Sequence, residues 1–221
     1  MTNNEILSRI DHTQLKATAS WEDIKTLCDE ALRYRTAAVC IPPSYVKPVH
    51  EEFGDNPVVA TVIGFPLGYS ITAAKVLEAE RAILGGAAEI DMVINIGDVK
   101  SGRFDWVLEE IRLMKKACGE RILKVIIETC YLTEDEKIRL CGIVTEAGAD
   151  YIKTSTGFGT AGATLADVRL FRQHIGHSVK IKAAGGVKTR EDLENFIAAG
   201  ADRIGTSSAV KLLTGGTAAE Y

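Results

Sequence analysis

The stretch AGADYIK at residues 147–153 is one of three copies of a single design in the chain. The other two copies are GGAAEID at 85–91 and AGADRIG at 199–205. In each copy a predicted helix ends at a glycine, which tolerates the left-handed conformation of a helix cap, and a short apolar run follows. If each copy is one helix-to-strand unit, Asp91, Lys153 and Gly205 occupy matching positions and face the same end of a parallel sheet.

Eight short apolar runs, rich in valine and isoleucine, are predicted strands. They span 8–11, 37–41, 58–63, 89–94, 123–127, 151–153, 179–182 and 203–205. Helical spacing of apolar residues is clearest in the intervening stretches 71–84, 106–117 and 136–147. This alternation predicts an α/β fold, a single-domain (β/α)8 TIM barrel over 1–221 with a flexible C-terminal tail at about 214–221. An open doubly wound sheet is the alternative.

The composition is that of an ordinary globular protein, with 46% hydrophobic and 25% charged residues. A formal net charge of −4 argues against nucleic acid or an anionic membrane as the main partner. No apolar run approaches the roughly 20 residues that span a bilayer, and the N-terminus lacks a signal-peptide pattern. Five cysteines without a CxxC pair are typical of reduced thiols, so we expect a cytoplasmic protein. The four histidines are scattered and predict no metal site.

Lys153 ends a predicted strand where we expect burial, although lysine is among the residues least often buried. A buried lysine can stay neutral and form a Schiff base with a carbonyl, while a lysine that reaches out from a strand end is the simpler interpretation. Lys182 ends the next strand, in KIKAAGGV, at a similar depth. Because adjacent strands lie about 4.8 Å apart, this second cation would lower the pKa of the first. Lys180 competes for that position but lies earlier in the strand.

Three further residues are candidates for the same end of the barrel. Asp91 is an acid within the apolar run EIDMVI, where it either shuttles protons or forms a structural ion pair with a lysine. Asp11, in RIDHTQLK, is a weaker candidate because a helix-cap or turn role is the simpler explanation. Cys40, in VCIPP, lies at a strand end, where a small buried apolar side chain is the commoner explanation for a lone cysteine.

Glycine-rich turns follow the last two predicted strands, AGGV at 184–187 and GTSSA at 205–209. In barrels of this kind the loops after strands seven and eight often bind phosphate, and glycine lets backbone N–H groups approach it closely. Ser207 and Ser208 add hydroxyl groups. The presence of two such turns in consecutive units favours a phosphate-binding role over a purely structural role as tight turns.

These residues together resemble the 2-deoxyribose-5-phosphate aldolases, a family of class I, or Schiff-base, aldolases. The most specific motifs are ADYIKTSTGF and IKAAGGVKT on consecutive units, and the resemblance runs from IDHTQLK to the C-terminal tyrosine. It implies that Lys153 forms the Schiff base, that Lys182 lowers its pKa, and that Lys182 and Asp91 relay protons. It also implies reversible cleavage of 2-deoxy-D-ribose 5-phosphate to acetaldehyde and D-glyceraldehyde 3-phosphate in deoxyribose breakdown, without a metal or organic cofactor.

The resemblance further implies a set of substrate-binding residues. They are Asp11, Cys40, Thr156, Gly185, Gly186, Gly205, Ser207, Ser208 and Tyr221, the last on a mobile tail that folds over the site. Some members carry lysine after KTSTG and arginine after GGV, where this chain has Phe158 and Lys188. We therefore expect phosphate binding that is weaker or differently arranged. Barrel aldolases commonly associate, and we expect a homodimer or a higher homo-oligomer.

Two other functions stay open. Another Schiff-base barrel, such as a transaldolase or a keto-acid aldolase, would accept a different carbonyl donor. A phosphate-binding barrel without lyase activity would use the lysines only as ligands for an anion.

Overall fold

The computed structural model describes residues 1–215, which form a closed barrel of eight parallel strands paired in chain order. The strands are β1 (Ile10–Thr13), β2 (Ala38–Ile41), β3 (Val59–Ile63), β4 (Glu89–Val93), β5 (Ile122–Ile126), β6 (Tyr151–Lys153), β7 (Lys180–Ala184) and β8 (Arg203–Thr206). The predicted (β/α)8 barrel is therefore confirmed. The open-sheet alternative is wrong, because β1 pairs with β8 as well as with β2.

Helices follow the strands around the outside of the barrel. They are α1 (Asn3–Leu7), α2 (Trp21–Tyr34), α3 (Val46–Phe53), α4 (Thr72–Leu84), α5 (Ile96–Lys100), α6 (Phe104–Cys118), α7 (Glu134–Glu146), α8 (Leu165–His174), α9 (Arg190–Ala199) and α10 (Ala209–Thr214). None of the helices within residues 1–215 combines the length and apolar character needed to cross a bilayer. Most of the predicted tail, including Tyr221, lies outside the described residues.

Capping side chains explain where the elements begin. Thr2 and Glu5 form a capping box that starts α1, and this helix ends at Ser8, so β1 begins two residues later than predicted. Thr133 and Glu136 form another capping box, and α7 begins directly after Thr133, two residues before the predicted helix start. Local hydrogen bonds, rather than the apolar pattern alone, therefore set these boundaries.

The barrel interior is divided between an apolar and a charged sector. The apolar sector consists of Leu15, Ala38, Cys40, Ala60 and Val62, with Phe65 packed against them. The charged sector lies on β1 and β4 to β8, and we call it the interior charge cluster: Asp11, Glu89, Asp91, Lys124, Lys153, Lys182 and Arg203. A separate and larger apolar core fills the space between the strands and the helices.

A buried ion pair ties α4 and α6 to the barrel. Lys75 of α4 is fully buried, and its Nζ atom lies 2.8 Å from Oε1 of Glu110 on α6. The same Nζ atom donates to the carbonyl oxygen of Val93, 2.8 Å away, at the end of the strand that carries Asp91. Burial lowers the pKa of Lys75 and raises the pKa of Glu110. Removing one partner would leave the other as an uncompensated buried charge.

We expect Lys75→Met to lower the free energy of unfolding by about 3–5 kcal/mol, because Glu110 then stays buried without a counterion. Adding Glu110→Leu removes both charges and should recover much of the loss. Chemical denaturation followed by circular dichroism measures the two variants. Lys47→Met, in the exposed Lys47–Glu51 pair, is the control and should leave unfolding unchanged. Equal losses in the single and double variants would contradict this account.

Candidate active site

A cavity of about 450 Å³ opens at the C-terminal ends of the strands, the end at which barrels of this architecture carry their active sites. Its wall is formed by residues that end or follow β1, β6, β7 and β8. They are Thr13, Leu15, Lys153, Thr156, Gly157, 184–188 and 205–208. Both predicted glycine turns and the predicted Schiff-base lysine therefore line one cavity.

Lys153 faces Lys182 directly, because the two residues are register partners on β6 and β7. Both Nζ atoms lie 2.7 Å from the same atom, Oδ2 of Asp91. The amines are thus within two hydrogen-bond lengths of each other, as the sequence predicts. Lys180 lies at the exposed start of β7, away from this contact. Lys153 reaches the cavity, whereas Lys182 and Asp91 are fully buried and are not part of its wall.

The pKa values of the two lysines are shifted in opposite directions. Burial lowers the pKa of Lys153. The carboxylate of Asp91 opposes this shift, and the charge of Lys182 adds to it, so the pKa is lowered overall. Burial therefore contributes more to the lowered pKa of Lys153 than the neighbouring Lys182 cation, which is the cause that the sequence analysis emphasises. Burial also disfavours the charge on Lys182, but the carboxylates of Asp11 and Asp91 outweigh it and raise the pKa of Lys182. The pair combines an amine that readily becomes neutral with one that stays protonated.

Lys124, Glu89 and Arg203 belong to this constellation, although the sequence analysis does not single them out. The Nζ atom of Lys124 lies 2.7 Å from Oδ1 of Asp91 and 2.6 Å from Oε2 of Glu89. Arg203 contacts Oδ1 of Asp11, and its Nη2 atom lies 3.3 Å from Oε1 of Glu89. The available signal is the same as for Asp91: Lys124 is a charged residue inside an apolar strand, LKVII.

Within the described residues, the interior charge cluster holds four cationic side chains and three carboxylates. The cations are Lys124, Lys153, Lys182 and Arg203, and the carboxylates are Asp11, Glu89 and Asp91. With all seven groups ionised, the cluster would carry one surplus positive charge. Among its three lysines, only Lys153 has a lowered pKa. Loss of one proton from Lys153 balances the cluster.

Asp11 and Cys40 lie inside the barrel but are not part of the cavity wall. Asp11 is fully buried in β1 and contacts Lys182 and Arg203, so the simpler interpretation as a turn or helix-cap residue is wrong. The reason is that its neighbours form a buried strand rather than a turn. Cys40 is fully buried in the apolar sector, and burial raises the pKa of its thiol.

The two glycine turns present unused backbone donors to the cavity. Gly185 and Gly186 have φ values of 76° and 78°, a left-handed conformation that favours glycine. In the part of the chain that the structure describes, the N–H groups of Gly185, Gly186 and Ser207 donate no hydrogen bond. Ser208 is different, because its hydroxyl donates to the carbonyl of Val187. Successive backbone N–H groups of this kind form anion-binding concavities.

The remaining predicted residues occupy distinct places. Gly205 lines the cavity, and a Cβ atom there would lie 3.0 Å from Cε of Lys182, so this glycine leaves room for the lysine. Thr156 also lines the cavity, and its hydroxyl donates to the Glu128 carboxylate. Phe158 stacks edge-to-face on Phe65 with ring centroids 5.3 Å apart. Tyr221 lies outside the described residues.

Comparison with known proteins decides the family. A model described as DeoC/LacD family aldolase matches residues 6–213. The chain belongs to this aldolase family. The resemblance drawn from the motifs is thereby confirmed.

This aldolase is 62% identical to a deoxyribose-phosphate aldolase of Clostridium botulinum (strain Alaska E43, type E3) over 215 residues, or 97% of each chain. A solved structure of QR15, an aldolase, matches with a TM-score of 0.91 at 39% identity, covering 96% of this chain and 95% of that one. The tetrameric deoxyribose phosphate aldolase of Aeropyrum pernix matches with a TM-score of 0.86 at 32% identity, covering 96% and 91%.

We expect Lys124→Met to make Lys153 hold its proton to higher pH. Without the Lys124 cation, the charge of Asp91 acts on Lys153 with less compensation, which favours the ammonium form. The labelling rate of Lys153 by acetic anhydride, read from peptide masses across pH, should have its midpoint at higher pH and be about tenfold slower at pH 7.

Lys180→Met is the matched control for this labelling experiment, since it removes a lysine at the exposed start of β7. Its labelling profile for Lys153 should coincide with that of the unmodified chain. A Lys124→Met profile that also coincides would show that the interior charge cluster does not set the protonation of Lys153.

Proposed function

We propose that this aldolase reversibly cleaves 2-deoxy-D-ribose 5-phosphate to acetaldehyde and D-glyceraldehyde 3-phosphate through a Schiff base on Lys153. The observation that carries the proposal is a buried amine with a lowered pKa, in the wall of a cavity that also contains two anion-binding turns. Such a cavity can attack a carbonyl at one point and hold a phosphate at another. The curated relative from Clostridium botulinum supports the choice of deoxyribose phosphate.

The reaction begins when the neutral Nζ atom of Lys153 adds to C1 of the open-chain sugar. The hydroxyl of this adduct must leave as water, which requires a proton on its oxygen and leaves an iminium. Lys182 stays protonated and shares Oδ2 of Asp91 with Lys153, so both groups are placed to exchange protons with the adduct through water. In this proposal Lys182 and Asp91 act as the proton relay.

The iminium is an electron sink for the bond between C2 and C3. When the C3 hydroxyl gives up its proton, the electron pair of that bond moves to the nitrogen and glyceraldehyde 3-phosphate leaves with a new aldehyde at C3. An enamine remains on Lys153. Protonation of its terminal carbon regenerates an iminium, which water hydrolyses to acetaldehyde and the free amine. Water is the only further reactant.

We propose that the 5-phosphate binds at the turns 184–187 and 205–208. Backbone N–H groups in these turns are available to its oxygens, and Lys188 in the cavity wall supplies a positive charge. Phe158 packs on Phe65 and offers no charge, so Lys188 takes a larger share of phosphate recognition. Of the serines, Ser207 has the uncommitted N–H group, and Ser208 supports the turn through Val187.

We further propose that the protein is a homo-oligomer in the cytoplasm. The adjacent helices α4 and α6 expose large apolar side chains, with Leu84 78% and Trp106 64% exposed. Burying such residues against a second copy removes apolar surface from water. The relative from Aeropyrum pernix is described as tetrameric, which supports association. Free thiols at Cys28, Cys40, Cys118, Cys130 and Cys141 support a reducing compartment.

Borohydride trapping tests the proposed reaction. With acetaldehyde present, we expect reduction to add a two-carbon group to Lys153, because the neutral amine forms an iminium that the reductant fixes. The mass of the labelled peptide identifies the lysine. Lys153→Met should abolish trapping and the cleavage of 2-deoxyribose 5-phosphate, whereas Lys180→Met should preserve both.

Other outcomes of this trapping experiment would favour other functions. Labelling by a ketone or a keto acid but not by acetaldehyde would indicate a different Schiff-base aldolase. Failure to trap any adduct on folded protein would overturn the proposed chemistry and favour a phosphate-binding barrel.

Light scattering tests the proposed association. We expect a mass of at least twice the 23.9 kDa of one chain, and Trp106→Glu should shift it toward a single chain because a charge disfavours burial of that face. Leu32→Glu, at an exposed leucine on α2, is the control and should leave the mass unchanged. A mass of one chain at all concentrations would contradict association.

A further inference from the structure

Glu128, two residues after the end of β5, is held in a conformation that its residue type disfavours. Its φ and ψ angles are 54° and 69°, in the left-handed region. Among the non-glycine residues described, only Arg35 also has a positive φ, and Arg35 is the C-cap of α2, where this conformation is common. Glu128 precedes the 3-10 helix Thr129–Tyr131 as its N-cap, a position where the backbone is usually extended, and the residue is 2% exposed. Strained residues of this kind persist where the surroundings over-determine them, often at functional sites.

The carboxylate of Glu128 accepts most of its hydrogen bonds from Thr156, and the Sγ atom of Cys130 also lies 4.0 Å from Oε1. The backbone N–H of Thr156 donates to Oε1 at 3.1 Å and to Oε2 at 3.3 Å, and its hydroxyl donates to Oε2. The Thr156 hydroxyl in turn accepts a hydrogen bond from the N–H of Phe158 at 3.0 Å. These contacts fix the loop on both sides of Gly157. Burial raises the pKa of Glu128, and its bonds from Thr156 offset that shift only in part.

Gly157, between Thr156 and Phe158, packs against the turn that follows β7. A Cβ atom on Gly185 would lie 3.5 Å from Cα of Gly157, so the two backbones pack directly together. Both residues line the cavity. The N–H of Gly157 donates no hydrogen bond within residues 1–215, as is true of Gly185 and Gly186. Fixing Thr156 therefore also fixes an additional backbone donor beside the turn at 184–187.

We propose that Glu128 is a positioning residue that holds Thr156 and thereby sets the affinity of the cavity for the phosphate of its substrate. This inference rests on the proposed function, because it assigns the phosphate to the turn at 184–187. Glu128 acts through Thr156 and Gly157 and does not touch the substrate. Its effect should appear in phosphate recognition and leave carbon–carbon bond cleavage intact.

Three substitutions test whether the contact between the Glu128 and Thr156 side chains, rather than the strained backbone of Glu128, sets the affinity for phosphate. Glu128→Gly removes the carboxylate and relaxes the left-handed backbone, so any loss reflects the carboxylate. Thr156→Val keeps Glu128 and nearly the same volume but removes the hydroxyl. Thr156→Ser keeps the hydroxyl and should restore what Thr156→Val loses. Arg35→Gly relaxes the other left-handed residue, which is not part of the cavity wall, and is the matched control.

We expect Glu128→Gly and Thr156→Val to raise KM for 2-deoxyribose 5-phosphate by about tenfold, with kcat within about twofold of the unmodified chain. In Glu128→Gly, the kcat/KM for unphosphorylated 2-deoxyribose should not change. Arg35→Gly should leave both substrates unaffected. An unchanged KM in folded variants, or an equal loss for both sugars, would overturn the inference. If Glu128→Gly does not fold, Thr156→Val compared with Thr156→Ser decides the question.

Binding of inorganic phosphate separates this inference from the proposed function. If the unmodified chain does not cleave 2-deoxyribose 5-phosphate, the proposed function fails, but calorimetric titration with phosphate still tests Glu128. We then expect about tenfold weaker phosphate binding in Glu128→Gly and Thr156→Val than in the unmodified chain. Equal phosphate affinities in the three proteins would overturn the role of Glu128.

Discussion

A buried charge without a counterion is costly, and the interior charge cluster holds four cationic side chains against three carboxylates. The surplus falls on Lys153 because of how the carboxylates are shared. Lys124 contacts Asp11, Glu89 and Asp91, and Lys182 contacts Asp11 and Asp91. In the described part of the chain, Lys153 contacts Asp91 alone and shares the same oxygen with Lys182. Lys153 has the fewest carboxylate contacts of the three lysines, which is consistent with its lowered pKa. It is also the lysine that reaches the cavity.

The barrel makes this sharing possible because its strand register places charged side chains of neighbouring strands at one depth. Lys153 is paired with Lys182, and Asp91 is paired with Lys124. The opposite wall, on β2 and β3, is apolar and supplies no further counterion. Water is excluded there as well, since Cys40 and Ala60 are fully buried. The reactive amine therefore depends on two properties of the fold together: a one-sided cluster of charges and a dry facing wall.

Much of this site can be predicted from the sequence, because the relevant signals are local. The repeated helix-to-strand stretch and the period of two in strands place Lys153 and Lys182 at one depth, and the glycine turns follow the same strands. The remaining members depend on contacts distant in sequence. Lys124 and Arg203 acquire their roles from carboxylates on other strands. Asp11 is buried only because β1 closes against β8, which no local pattern around RIDHTQLK indicates.

Glu128 follows β5 and Lys153 ends the neighbouring strand β6, and each occupies a state that costs stability. A left-handed non-glycine residue costs about 1–2 kcal/mol, and an amine removed from water loses its hydration. Backbone hydrogen bonds join the two segments, from Ile127 to Lys153 at 3.1 Å and from Thr129 to Thr154 at 2.9 Å. Lys153 and the loop around Gly157 are therefore parts of one hydrogen-bonded wall. Under the proposed function, this wall fixes the distance between the carbonyl carbon at Lys153 and the phosphate at the turn 184–187, and so selects a sugar phosphate by the length of its carbon chain.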